Sequence, residues 1–215
     1  MITLIHTTAN HHHHHEAARK SHSPTEDDFK RVKRIFRYLS GAAERGIIFR
    51  KTPSLNFQAF VDSNWAEDEN DSKSTTGIIL YLQNGPIYWK TKKQNVVARS
   101  STEAEYMALS DCAANVVSVR QFLSELNLQP STPTPIGEDN RGACLIAQNK
   151  NCSKRTKHIR LRFHHFRDEI EKKQIRIVQV PTLQQPADLL TKALAPAKFG
   201  LALENLDMPL NLLKM

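Results

Sequence analysis

Cysteine is scarce: three residues in 215, Cys112, Cys144 and Cys152. An odd number at wide spacing writes neither a disulfide framework nor a zinc knuckle, and points to a reducing, intracellular setting. Long apolar runs are missing as well. No stretch approaches the roughly 18–20 residues that cross a bilayer, which excludes an integral membrane protein. The opening MITLI is too short for the apolar segment of a secretory signal and meets polar residues and histidine at once. With 40% apolar and 24% charged residues, the chain is neither disordered nor fibrous. Its length suits one domain with an appendage and can bury a sizeable core.

Acids are absent from two long stretches. Ser72 to Thr102 has none, against Lys73, Lys90, Lys92, Lys93 and Arg99. Asn140 to Arg167 has none either, against Arg141, Lys150, Lys154, Arg155, Lys157, Arg160, Arg162 and Arg167. The net charge of +8 makes a polyanion the first partner to consider. A solvated face explains one such run. Two of them inside a folded domain favour phosphate neutralisation with counterion release.

Residues 1–22 read as a disordered leader, and its tract His11–His15 fits a metal-binding run or an expression tag equally. Residues 24–41 predict a helix capped by Thr25 with Asp28 and closed by Gly41, with an apolar stripe of Phe29, Val32, Phe36 and Leu39. Strands are expected at 46–51, 57–65, 75–84 and 87–99, the last two joined at Gly85–Pro86, with the acidic run Glu67, Asp68, Glu69 and Asp71 as a solvated turn. A long helix follows at about 101–126, capped by Ser100 with Glu103. Then come a strand ending at Glu138–Asp139, a helix from Arg141, a basic patch running into a helix that ends near Lys173, a strand at 175–182 and a helix opening near Pro186. Trp65 and Trp89 read as core residues. The order describes a mixed sheet flanked by helices.

Four carboxylates stand where a charge is hard to accommodate. Asp62 lies inside an apolar strand, where burial costs several kcal/mol unless the group is paired or bound to metal. Satisfaction by backbone at a strand end is the competing account. Glu105 lies four residues before Leu109, in a stripe continued by Cys112, Val116, Leu123 and Leu126, and so points about 40° from it. Glu103 lies about 120° away and holds the capping role, which turns it outward. Asp139 ends the fourth strand, where ligands gather in mixed sheets. Asp188 sits in a helical first turn, and alone it would answer to the helix dipole. Together the four would form an all-oxygen site for Mg²⁺ or Mn²⁺. Acids alone would repel phosphate, so the basic stretches and the carboxylates are compatible only through cations.

The segments VDSNWA, DSKSTTG, YWKTKKQNVVARSSTEAEYMALS, EDNRGACLIAQN, KRTKHIRLRFHHFRDEI and VPTLQQPADLLTKAL resemble, in order and spacing, the ribonuclease H domain of copia-type LTR retrotransposon polyproteins. The resemblance covers about 56–200, and residues 23–55 resemble the end of the reverse transcriptase connection segment, leaving 201–215 as a C-terminal tail. It implies a ribonuclease H-like α/β fold, a mixed five-stranded sheet flanked by helices. It implies hydrolysis of the RNA strand of RNA–DNA hybrids, with a reverse transcriptase domain as partner in the full polyprotein. The family's four metal-binding acids correspond to Asp62, Glu105, Asp139 and Asp188, holding two Mg²⁺ that activate water and steady the leaving 3′ oxygen. Hybrid contact is expected from Lys92, Lys93 and Gln94, and from Lys154, Arg155, Lys157 and His158, mostly through the backbone and the 2′-hydroxyls. The setting expected by resemblance is a cytoplasmic virus-like particle or the nucleus. Ser153, Arg160, Asn115 and Ser118 depart from the family pattern but touch none of the four acids. The runner-up is a catalytically inactive nucleic-acid-binding remnant of a truncated retroelement. An integrase-like strand-transfer enzyme shares fold and metals, yet uses three acids at other spacings and a zinc-binding HHCC pattern not written here.

Overall fold

The structure, a computed structural model, describes residues 20–41, 46, 47, 49, 55–66, 71–148, 165–192, 194–207 and 212–215. The His11–His15 tract, Glu67 to Glu69, and the basic residues Lys154, Arg155, Lys157 and His158 lie outside these residues. Five helices and five strands are described: α1 (Glu26–Gly41), β1 (Phe57–Asn64), β2 (Thr75–Leu82), β3 (Gly85–Lys93), α2 (Ser101–Glu125), β4 (Thr134–Glu138), α3 (Arg141–Gln148), α4 (His165–Glu171), β5 (Ile175–Gln179) and α5 (Pro196–Asp207). The sheet order is β3-β2-β1-β4-β5. Strands β1, β2 and β3 form an antiparallel meander, and β4 and β5 join β1 in parallel. A mixed five-stranded sheet flanked by helices is the expected fold class.

Strand alternation sorts the core into two layers. Phe57, Ala59, Val61, Ile78, Leu80 and Ile136 face α2, α3 and α4, where they meet Leu109, Cys112, Val116, Ala143 and Phe166. Phe60, Ile79, Tyr81 and Val178 face the other way, onto Ala187, Leu190, Leu203, Leu206 and Leu212. Each large apolar side chain so buried contributes about 1.5–3 kcal/mol. The second layer depends on residues beyond 200. Helix α5 crosses that position, the Tyr81 hydroxyl donates to the Leu206 carbonyl at 3.2 Å, and the Leu212 amide donates to Gln58 at 2.9 Å. Ala202, Leu203, Leu206 and Leu212 are therefore part of this layer.

Several local expectations need correction. In α1 the cap is as read, since Thr25 and Asp28 exchange amide-to-side-chain bonds. The buried face, however, is led by Ile35, while Phe29 and Phe36 are exposed at 60% and 65%. On the same helix Tyr38 meets Phe199 of α5 edge-on, and the Phe29 ring receives the Lys33 ammonium at 4.7 Å. The described residues of the 46–51 strand, Gly46, Ile47 and Phe49, carry no strand structure; Phe49 lays its ring against Gly85 instead. Strand β3 stops at Lys93 because Gln94 turns inward. The helix near Pro186 is a short 3-10 turn, Pro186–Leu190, and Leu126 at the end of α2 is exposed. Trp65 is half-exposed, its indole N–H donating to the Ala98 carbonyl at 3.1 Å, whereas Trp89 packs at the margin of the second core layer.

Candidate functional site

The parallel pairing of β1 with β4 sets Phe60 beside Gly137. Two residues further along each strand are Asp62 and Asp139, so register alone carries both acids to the carboxyl ends of adjacent strands. Strand order, not chain direction, reverses there, with β2 and β3 added on one side of β1 and β4 and β5 on the other, the kind of crevice where ligands bind in open sheets. Helix α2 lies on β1 and brings Glu105. One oxygen each from Asp62, Glu105 and Asp139 lie within 4.8 Å of one another. Asp62 and Glu105 are buried and Asp139 is half-buried, which leaves Asp139 at the solvent end.

Asp188 arrives from the opposite face on the Pro186–Leu190 turn. Gln185 pins the start of that turn: its amide donates to the Val61 carbonyl at 2.9 Å and its oxygen accepts from the Ala187 amide. Asn64 holds the far end, donating to the Thr191 carbonyl at 3.0 Å. The Thr191 hydroxyl donates to Asp62 Oδ2. Gly77, paired with Asp62 on β2, makes the approach possible. A Cβ there would lie 2.7 Å from Leu190 Cβ and 3.0 Å from the Ala187 carbonyl oxygen. Asp188 joins the three clustered acids through Lys192, whose Nζ lies 3.0 Å from Asp62 Oδ1 and 2.7 Å from Asp188 Oδ1.

A fifth acid completes the group. Glu138 is fully buried on the α2 side of β4. Its Oε1 accepts from the Asn140 amide at 2.9 Å, and its Oε2 has no hydrogen-bond partner. Glu105 Oε2 is likewise buried without one. Burial and then mutual repulsion raise Glu105; burial raises Glu138, with the Asp139 and Asp62 charges adding to it. Asp188 is pushed up to about 7, by burial first and then by the Asp62 charge, against the pull of Lys192. Such a set of hard, under-neutralised oxygens suits divalent cations. The 4.8 Å spread is close to the roughly 4.2 Å between oxygens on opposite sides of one Mg²⁺.

No protein-family model matches the chain. Over 178 residues it is 40% identical to the retrovirus-related Pol polyprotein from transposon RE2 of Arabidopsis thaliana, covering 83% of this chain. Over 194 residues it is 31% identical to that from transposon TNT 1-94 of Nicotiana tabacum, covering 90% of this chain. The chain is a homologue of copia-type, retrovirus-related Pol polyproteins. It spans only 12% of the RE2 polyprotein and 14% of the TNT 1-94 polyprotein. Among solved structures it is similar to RNase H1 of Halobacterium salinarum NRC-1, with a TM-score of 0.47 and 14% identity over 63% of this chain and 93% of that one.

In this Pol homologue the basic candidates fare differently from the acids. Lys92 lies 3.5 Å from Asp111 and Lys93 2.7 Å from Asp71, both reaching the surface. Gln94 is buried, and its side-chain oxygen has no hydrogen-bond partner. Its amide donates to Thr76 Oγ1 at 3.0 Å and to the Ala104 carbonyl at 2.9 Å, fastening β2 to α2. Glu103 does cap α2, but it folds inward to accept from the Arg99 amide at 2.9 Å and is 9% exposed, not turned to solvent. Glu138, Gln185, Thr191 and Lys192 were not singled out by sequence. Two signals existed: Glu138 shares strand parity with Ile136, and Lys192 lies one helical turn after Asp188. Gln185 had none, because its partners are backbone carbonyls of distant strands.

Proposed function

We propose that this Pol homologue is a metal-dependent endoribonuclease that hydrolyses the RNA strand of RNA–DNA hybrids. The observation that carries the reading is the convergence of Asp62, Glu105 and Asp139 from β1, α2 and the end of β4 to within 4.8 Å, with Asp188 alongside. Homology to Pol polyproteins supports it. Those four acids would hold two divalent ions, Mg²⁺ or Mn²⁺. Such ions, when bound, lower the pKa of the attacking water and stabilise the 3′ oxygen as it leaves.

The chain's own residues prepare that chemistry. Thr191 orients Asp62 by its hydroxyl, and Asn64 and Gln185 fix the turn that presents Asp188. Glu105, raised by burial and by the neighbouring acids, would have to give up its proton to serve as a ligand. Asp139, the most open of the clustered acids, marks where the scissile phosphate enters. Lys92 and Lys93, both reaching the surface, would contact the hybrid backbone, and by sequence Lys154, Arg155, Lys157 and His158 are further candidates for the same role. Products carry 5′-phosphate and 3′-hydroxyl ends. In the full polyprotein a reverse transcriptase domain would supply the hybrid.

The test is a labelled RNA–DNA hybrid incubated with the chain and Mg²⁺. Cleavage of the RNA strand in wild type, abolished in Asp139→Asn with hybrid binding retained, is expected. Hybrid binding without cleavage in wild type would leave a non-catalytic binding remnant. Unchanged turnover in Asp139→Asn would remove that residue from the site.

A further inference from the structure

The acidic site already contains a cation. Lys192 ends the turn that carries Asp188, and its ammonium lies 3.0 Å from Asp62 Oδ1 and 2.7 Å from Asp188 Oδ1. It fills the space between these two oxygens. A divalent ion needs oxygens at about 2.0–2.6 Å, so it and the ammonium cannot share that position. The other side of the cluster differs. Among the described residues, Lys192 alone brings a cation to contact distance of Asp62 or Asp188, and Glu105 Oε2 has no hydrogen-bond partner.

Charge reinforces the geometry. Five carboxylates (Asp62, Glu105, Glu138, Asp139 and Asp188) face one ammonium, and Asp62 and Glu138 are fully buried. Fully ionised, the five carboxylates carry −5, of which the ammonium offsets one charge; with Lys192 displaced, two divalent cations would offset four. With fewer ions bound, the tethered ammonium is the neutralising charge at the Asp62–Asp188 end.

We propose that Lys192 is a resident counter-ion that holds Asp62 and Asp188 together and must swing out before a divalent ion can bind between them. Cation loading is therefore unequal. The first ion enters on the Asp62–Glu105–Asp139 side, and the second enters only by exchange with Lys192. This rests on the metal-site reading of the preceding subsection. Lys192 is a positioning residue: it sets when Asp188 becomes available as a ligand.

The experiment is calorimetric titration of Mn²⁺ into the full chain, as wild type, Lys192→Met and Lys192→Arg. Methionine keeps length without charge, and arginine keeps charge. Two binding events are expected in wild type, the weaker tightened about tenfold or more in Lys192→Met and left near the wild-type value in Lys192→Arg. Equal or weaker Mn²⁺ affinity in Lys192→Met overturns the proposal while leaving the metal site intact. No Mn²⁺ uptake by wild type overturns both. Should Lys192→Met fail to fold, wild type decides by mass-spectrometric acetylation at Lys192. A rate that rises at least about threefold on saturation with Mn²⁺, as the ammonium moves from the carboxylates to solvent, supports the exchange, and a smaller or absent rise overturns it.

Discussion

Gly77→Ala probes the site without touching a carboxylate. Gly77 pairs with Asp62 across β1 and β2, and the turn carrying Asp188 rests directly on it. An added Cβ would meet Leu190 Cβ at 2.7 Å, Thr191 Cγ2 at 2.8 Å and the Ala187 carbonyl oxygen at 3.0 Å. Ordinary carbon contacts lie near 3.5–4.0 Å, so the turn must retreat by about 1 Å. Two of the obstacles are a backbone atom and a Cβ, which no rotamer change can move. Overpacking of this kind costs about 1–3 kcal/mol. The same retreat withdraws Asp188, Thr191 and Lys192 from Asp62, and misplacement by about 1 Å costs on the order of 100-fold in rate. Thermal unfolding and hybrid-cleavage kinetics would read the two effects. Gly200→Ala is the matched control: it sits within α5 with nothing near its added Cβ, and should be neutral or stabilising by up to about 1 kcal/mol. A Gly77→Ala chain that melts and cleaves like wild type would refute this account of how the turn is seated.

Glu105→Gln should lose nearly all cleavage yet raise the melting temperature of the metal-free chain, because it removes a buried carboxyl without a full set of partners. Glu103→Gln should keep activity and lose under about 1 kcal/mol, since the amide oxygen still accepts from Arg99; the reverse pattern in paired assays would exchange their roles. In chelator, stability should fall as pH rises. Asp188 is raised to about 7, so the folded chain binds more protons than the unfolded one, and this contribution is lost across about pH 4–7. Added Mg²⁺ should flatten the trend, and melting curves that rise with pH in chelator would contradict it. Arg120→Met should cost about 2–4 kcal/mol in denaturant titration, because the buried guanidinium donates to Gln174, Thr132, Thr134 and Pro130 around the start of β4.

Much of the architecture was readable along the chain because its signals are local. Short runs rich in aromatic and β-branched residues mark β1 and β2, and the Ser100–Glu103 box starts α2. The failures share a physical cause, since each depends on what packs against the segment. Phe29 and Phe36 are as apolar as Ile35, yet Ile35 is the one buried, on a helix whose Tyr38 docks on Phe199. Gln94 reads as part of a basic strand until its amide is found bonded to Ala104. Ala202, Leu203, Leu206 and Leu212 lie in a short apolar segment whose burial depends on the sheet face it meets, which no local pattern states.

Sequence by itself determined which residue types were available and which strand or helix bore each acid, since spacing and caps act over one or two turns of chain. Only the tertiary structure decided which oxygens meet. The β1–β4 register brought Asp62 and Asp139 side by side, Gly77 admitted the Asp188 turn, and Lys192 was placed between two carboxylates 130 and 4 positions away. Charges interact through space rather than along the backbone. A site made of charges therefore has no fixed meaning until the fold sets its distances.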